Sequence, residues 1–165
     1  MIALQVQDVK LITSNLFVHT MFDEFLISEM DVATAHSFHI DGTINKEWFS
    51  NDELEELQER RYSKWKEIKP IAFQMIKGNK TPLSFKIVFQ LNHEQLEKMI
   101  KNSGVALSVN DVNGLFMNVK YDRSGLTIIS GSSLKIFTMD KSLEQYWDNT
   151  VKQFLKKYQI AYLEV

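Results

Sequence analysis

Few residues of this sequence could carry out covalent chemistry. The chain has no cysteine, no Gly-x-Ser-x-Gly turn to present a nucleophilic serine, and no glycine-rich loop of either phosphate-binding type. Residues 78–81, Gly-Asn-Lys-Thr, resemble the end of a P-loop. They lack the first glycine and follow a predicted helix rather than a strand, so we interpret them as a helix end and a turn. Nucleophilic catalysis therefore has no supporting motif.

Two histidines and an aspartate form the most metal-like group in the sequence. On a strand, His39 and Asp41 share one face while His36 points to the other, because successive side chains alternate. A divalent ion needs three or four converging ligands, and this stretch supplies two. We therefore expect the ordinary polar faces of an exposed hairpin here, with no metal and no cofactor.

A basic segment with interleaved aromatic residues is the best candidate for a binding surface. Tyr62 and Trp65 lie among its cations, a mixture that suits phosphate contacts and base stacking. Acidic residues precede it, and they could instead hold the arginines in ion pairs one helical turn apart. For Trp65, a place in the core is favoured over a stacking platform. The candidate binding residues are Arg60, Arg61, Lys64, Trp65, Lys66, Lys77 and Lys80.

The formal net charge of −2 hides a polarised chain. Residues 1–59 carry −10, residues 60–80 carry +6, and residues 81–165 carry +2. The sign changes between Glu59 and Arg60, inside one predicted helix. Such asymmetry concerns partners and solubility rather than fold. The basic segment either folds against the acidic one or forms an anion-binding patch.

The composition is typical of a soluble globular protein. Apolar residues make up 44% and charged residues 24%, which excludes a disordered or low-complexity chain. The apolar runs are far shorter than the roughly 20 residues that span a bilayer. The N-terminus lacks the basic and apolar regions of a secretion signal. We expect a cytoplasmic protein with a single domain over residues 1–165.

The pattern of the first half predicts a strand near residues 2–6 and a helix capped by Asp8. Three strands follow, over residues 24–30, 34–40 and 43–49, with Asp41-Gly42 as a hairpin turn. Ser50 and Glu53 form a capping box that opens a helix, which Pro70 should interrupt.

The second half predicts the same order of elements. A strand over residues 83–91 precedes a helix capped by Asn92. Strands at residues 115–121, 126–130 and 134–138 lead to a last helix capped by Asp140. We therefore predict an α+β fold of two pseudo-repeated strand–helix–three-strand units, each followed by a helix. The first unit spans residues 1–69, a connecting helix 70–78, and the second unit 82–158.

Two resemblances accompany this pattern. Trp-Lys-Glu-Ile-Lys-Pro at residues 65–70, residues 75–82 and Phe-Lys-Ile-Val-Phe at residues 85–89 resemble an uncharacterised family of clostridial bacterial proteins, as does Met-Ile-Ala-Leu at residues 1–4. The repeated unit is similar in fold to that of DNA sliding clamps. That likeness implies that the helices after each first strand line a channel, and that a ring of six units would need three chains.

The missing catalytic motifs, the repeat and the charge polarity favour a non-catalytic binding or scaffold domain. Its partner would be a protein, a second copy of the chain or a nucleic acid, and a membrane is not expected. The alternative is a small enzyme whose site lies at the seam between the two halves, where pockets tend to form.

Overall fold

One antiparallel sheet of seven strands forms the centre of the molecule. The computed structural model describes all residues from 1 to 165. The strands are β1 (Ala3–Val6), β2 (Leu26–Ala33), β3 (Ser37–Asp41), β4 (Ser84–Gln90), β5 (Val112–Asp122), β6 (Gly125–Leu134) and β7 (Tyr162–Glu164). Their order across the sheet is β3-β2-β4-β5-β6-β1-β7. The predicted α+β class is confirmed.

Five α-helices lie between the strands, and three of them begin at caps that the sequence predicts. The helices are α1 (Val9–Phe17), α2 (Asn51–Leu57), α3 (Trp65–Ile76), α4 (His93–Ser103) and α5 (Ser142–Lys157). The side chain of Asp8 caps α1, Ser50 caps α2 and Asn92 caps α4. None of these helices has both the length and the apolar character needed to cross a membrane.

The core lies on one face of the sheet, which the helices cover. On the central strand β4, the side chains of Phe85, Ile87 and Phe89 are buried in a cluster of 29 apolar residues. Buried residues from four of the helices belong to the same cluster. The alternating residues of the strands point to the opposite face, as the period of two requires. Lys86 and its neighbours therefore form an outer face that is largely polar.

Trp65 is a central residue of this core. It is fully buried, and its indole Nε1 donates a 2.6 Å hydrogen bond to the carbonyl oxygen of Leu16. Its ring contacts Phe17 and Phe89 edge-on, at centroid distances of 5.8 and 5.5 Å. These contacts join α1, α3 and β4.

The predicted third strand of each half is absent. Residues 43–49 contribute one isolated bridge, between Thr43 and Tyr62, and a 3₁₀ turn at Lys46–Trp48. In the second half, β6 continues to Leu134 through the predicted turn at residues 131–133, because these residues pair with β5. The backbone hydrogen bonds to the neighbouring strand outweigh the preference of Gly and Ser for a turn.

Gly42 has a different role from the predicted hairpin turn. The turn between β2 and β3 lies at residues 34–36, where the amide of Thr34 donates to the carbonyl of His36. Gly42 instead lies against β2, and a Cβ there would be 1.8 Å from the carbonyl oxygen of Ile27. The glycine is therefore required for a close backbone approach rather than for a positive φ.

The predicted helix across the change of charge sign is also wrong. Gln58 and Glu59 have positive φ values of 52° and 62°, so α2 ends at Leu57 and Arg60 lies outside any helix. Pro70 does not interrupt the following helix, since it lies inside α3. Packing of Trp65 and Ala72 in the core holds that helix together despite the lost backbone hydrogen bond.

The two halves share an order of elements but differ in how their strands pair. In the second half, β4 pairs directly with β5, the strand that follows the intervening helix. In the first half, β1 pairs with β6 and β7 and is separated from β2 by three strands. The predicted structural repeat is therefore not confirmed.

Removing the indole of Trp65 should cost much of the stability. We expect Trp65→Ala to lower the free energy of unfolding by about 3–5 kcal/mol, since it leaves a large cavity. Trp65→Phe should cost less, because it leaves a smaller cavity, although it also loses the hydrogen bond to Leu16. Urea unfolding measures both. A loss below about 1 kcal/mol for Trp65→Ala would contradict this placement.

Gly42→Ala should destabilise the protein although it adds only a methyl group. The forced backbone shift should lower the unfolding free energy by about 1–3 kcal/mol. Gly131→Ala is the matched control. A Cβ at Gly131 would have space, since its nearest neighbour is the side-chain nitrogen Nδ2 of Asn118 at 4.0 Å. Thermal unfolding of the two variants should separate them. Equal melting temperatures would show that the chain does not approach β2 closely at Gly42.

Candidate binding surfaces

Several cations of the basic segment form ion pairs with acidic side chains. The guanidinium of Arg60 donates two hydrogen bonds to the carboxylate of Glu67, at 2.5 and 3.2 Å. Lys64 and Lys66 both reach Glu24, with N–O distances of 3.2 and 3.3 Å. Arg60 is therefore neutralised by an acid within the segment, and Lys64 and Lys66 by an acid from the first part of the chain.

The remaining candidates of the basic segment differ in their surroundings. Trp65 is inside the core and cannot stack on a base. Arg61 lies over the ring of Tyr62, with its guanidinium carbon 5.4 Å from the centroid. Lys77 and Lys80 are exposed beyond the end of α3 and form no ion pair. Anion binding by Arg61, Lys77 and Lys80 stays a prediction.

Glu67 connects two residues of this segment through hydrogen bonds. It accepts hydrogen bonds from Arg60 and from the backbone N–H of Lys64, which begins α3. Burial acts to raise the pKa of Glu67, but these two hydrogen bonds and the positive charges lower it below its ordinary value of 4.5. The ionised form of Glu67 therefore stabilises the folded chain.

A second polar cluster lies on the outer face of β2 and β3. The register places Asp31 opposite His39 and Glu29 opposite Asp41. The ring nitrogen Nδ1 of His39 is 2.7 Å from Oδ1 of Asp31. This hydrogen bond raises the pKa of His39, and the charges of Glu29 and Asp41 act in the same direction. A β-bulge between Ile27 and Glu29 sets which residues of β2 point outward.

Sequence reasoning found only part of this cluster. It placed His39 and Asp41 on one face but missed Glu29 and Asp31, which are on another strand. A signal existed in the alternation of Glu29, Met30, Asp31 and Val32, where the carboxylates share one face. The pairing between strands, which brings the two pairs together, cannot be derived from one sequence.

A cavity of about 410 Å³ lies beside this cluster, across β2, β3, β4 and β5. Asp31 and Lys86 belong to its lining, together with Lys120, Tyr121 and Asp122. Strand β2 belongs to the first half of the chain, whereas β4 and β5 belong to the second. The cavity therefore lies at the seam where the alternative enzyme site was predicted.

An apolar loop, residues 135–141, is the third surface. Its side chains of Phe137 and Met139 are 91% and 84% exposed, and Ile136 is also exposed. The loop borders a cavity of about 310 Å³, whose apolar lining comes from Met1, Leu107, Leu134 and Leu143. Exposed apolar side chains beside an apolar cavity are typical of interaction surfaces.

Fold and surfaces together describe an α+β protein with one covered and one open sheet face. Comparison of sequences then assigns the family: the chain belongs to a family of unknown function (DUF5721), whose model matches residues 15–163. No curated protein matches the chain. No solved structure matches it either, so the likeness to sliding clamps has no support from known structures.

The stability contributed by Glu67 should depend on pH. Since folding lowers its pKa, its contribution is full well above pH 4.5 and is lost as the pH falls through the lower folded value. Glu67→Gln keeps an acceptor for Lys64 but removes the charge. It should cost up to about 1 kcal/mol at pH 7, the upper range for an ion pair at the surface, since the side chains of Arg60 and Glu67 are 17% and 42% exposed.

Urea unfolding at pH 7 and at pH 3 measures this difference. The gap between the natural protein and Glu67→Gln should shrink at the lower pH. Glu56→Gln is the control, since Glu56 is exposed and forms no ion pair. A gap that is equal at both pH values would contradict the role of the carboxylate.

Proposed function

We propose that this protein is a non-catalytic binding or scaffold domain that associates with a second copy of itself through the apolar loop. The observation that carries the proposal is the exposure of Phe137 and Met139 at 91% and 84%. Because 29 apolar residues already form the core, these side chains have no role in packing the chain itself. Their contact with water is unfavourable until a partner covers them.

The surface around the loop is suited to a copy of the same chain. An interface with two-fold symmetry uses the same patch on both partners, so each patch must be complementary to itself. Here the loop that carries Phe137 and Met139 itself borders the cavity, through Thr138, Asp140 and Lys141. The loop of each copy could thus enter the cavity of the other.

The rim of the cavity supplies charges of both signs. Lys141 lies 3.6 Å from Glu144, and Asp140 accepts hydrogen bonds from Ser142. Lysines of one copy could pair with carboxylates of the other without a net repulsion, which favours a fixed orientation over non-specific contact.

The area required is modest for this molecule. A stable interface buries roughly 800 Å² on each partner, against an accessible surface of 10176 Å² for the chain. The loop alone is small, so the cavity walls formed by Leu107 and Leu143 must contribute. Binding energy should nevertheless concentrate in the aromatic and methionine side chains at the centre.

Sedimentation equilibrium tests this proposal directly. The natural protein should shift from its 19.3 kDa monomer to a dimer as its concentration rises. The double variant Phe137→Ser with Met139→Ser should stay monomeric at the same concentrations, while its thermal unfolding stays unchanged because both side chains are exposed.

Trp48→Ser is the matched control, since Trp48 is 84% exposed but lies in the 3₁₀ turn after β3. It should dimerise like the natural protein. A natural protein that is monomeric up to millimolar concentration would overturn the proposal. So would a dimer that the double variant leaves intact.

A further inference from the structure

Three side chains on the outer face of the sheet converge in the manner of metal ligands. Glu29 and Asp31 are two residues apart on β2, so they share a face, and His39 is directly opposite Asp31 on β3. One ligand atom from each of the three lies within 4.8 Å of the others. The sequence alone offered His39 and Asp41 in this region, and the register keeps His39 and adds Glu29 and Asp31.

We propose that Glu29, Asp31 and His39 form a binding site for a divalent transition-metal ion such as Zn²⁺. One imidazole and two carboxylates are donors that Zn²⁺ accepts, and three protein ligands leave one position for water or a ligand. For a site of nitrogen and oxygen donors, Zn²⁺ also binds more tightly than Mn²⁺ or Fe²⁺.

The site accepts an ion after side-chain movements of up to about 1.5 Å, since ligand atoms that lie within 4.8 Å of one another must reach a separation of roughly 3.3 Å. Asp31 and His39 share a hydrogen bond of 2.7 Å, whereas two ligands of one zinc ion lie roughly 3.3 Å apart, given zinc–ligand distances near 2.0–2.1 Å. Both side chains are more than half exposed, at 52% and 55%. They can therefore separate by a few tenths of an ångström without moving the strands.

The charge around the cluster favours a cation. Three carboxylates lie on the same face, those of Glu29, Asp31 and Asp41, and the only cation paired with them is Lys86. The ammonium of Lys86 is 3.4 Å from the carboxylate of Glu29. It competes with a metal ion for this ligand, so its removal should strengthen binding.

The neighbouring cavity gives the site access to a further ligand. Asp31 belongs to the cluster and Lys86 contacts Glu29 of the cluster, and both residues line the cavity of about 410 Å³. The cavity could hold a small anionic molecule bound to the ion, since Lys86 and Lys120 belong to its lining. The proposed metal site lies on a different surface from the apolar loop. The inference therefore does not depend on the proposed self-association.

Isothermal titration of the full chain with ZnCl₂ tests the site. One ion should bind per chain, and His39→Ala should weaken it by at least 10–100-fold, since even residues that only orient a ligand change affinity by that factor. Asp31→Asn should weaken it similarly. Lys86→Gln should bind several-fold more tightly than the natural protein, a gain that damage to the fold cannot produce.

Two histidine variants serve as controls. His36→Ala changes a histidine of the same hairpin that is outside the cluster. His93→Ala removes a surface histidine on α4, whose ring is 3.0 Å from the carboxylate of Glu97. Both should bind Zn²⁺ like the natural protein. Absence of binding, a stoichiometry that falls with His93→Ala, or an affinity unchanged in His39→Ala would overturn the proposal.

Discussion

Burial of one face of the sheet is the constraint on which the rest of the molecule depends. Phe85, Ile87 and Phe89 on the central strand must lie under the helices, because exposing them would cost several kcal/mol of hydrophobic stabilisation. A register slip of one residue would turn every such side chain outward. The same requirement points Lys86 outward, and through the pairing of β2 with β3 it places Asp31 beside His39. The core thus determines the polar face.

Part of the polarised charge of the chain is neutralised within the fold. The acidic first part and the basic segment meet where Glu24 contacts two lysines and where Lys69 pairs with Asp23 at 2.6 Å. Glu67 pairs with Arg60 as the one acid inside the basic segment. The apolar loop and the outer face of the sheet stay available for partners, as do Arg61, Lys77 and Lys80 of the basic segment, which form no ion pair.

Local chemistry in the sequence predicted the helix starts well and the strand pairing poorly. The caps Asp8, Ser50 and Asn92 were correct, because each hydrogen bonds within its own turn. The turns at Gly42 and at residues 131–133 were wrong, since a close approach to Ile27 and pairing with β5 decide them. Neither is local. Of the cluster formed by Glu29, Asp31 and His39, the sequence indicated only His39, since the two carboxylates reach it only through pairing between strands.

The register of β2 against β3 is the central claim, and disulfide trapping measures it most directly. Directly opposite residues in an antiparallel pair have Cα atoms about 4.5–5.5 Å apart, within reach of a disulfide. The chain contains no cysteine, so an introduced pair has no competitor. Asp31→Cys with His39→Cys should form a disulfide on mild oxidation, whereas Asp31→Cys with Ile40→Cys should not. A disulfide in the second pair and none in the first would contradict the register, and with it the placement of the cluster.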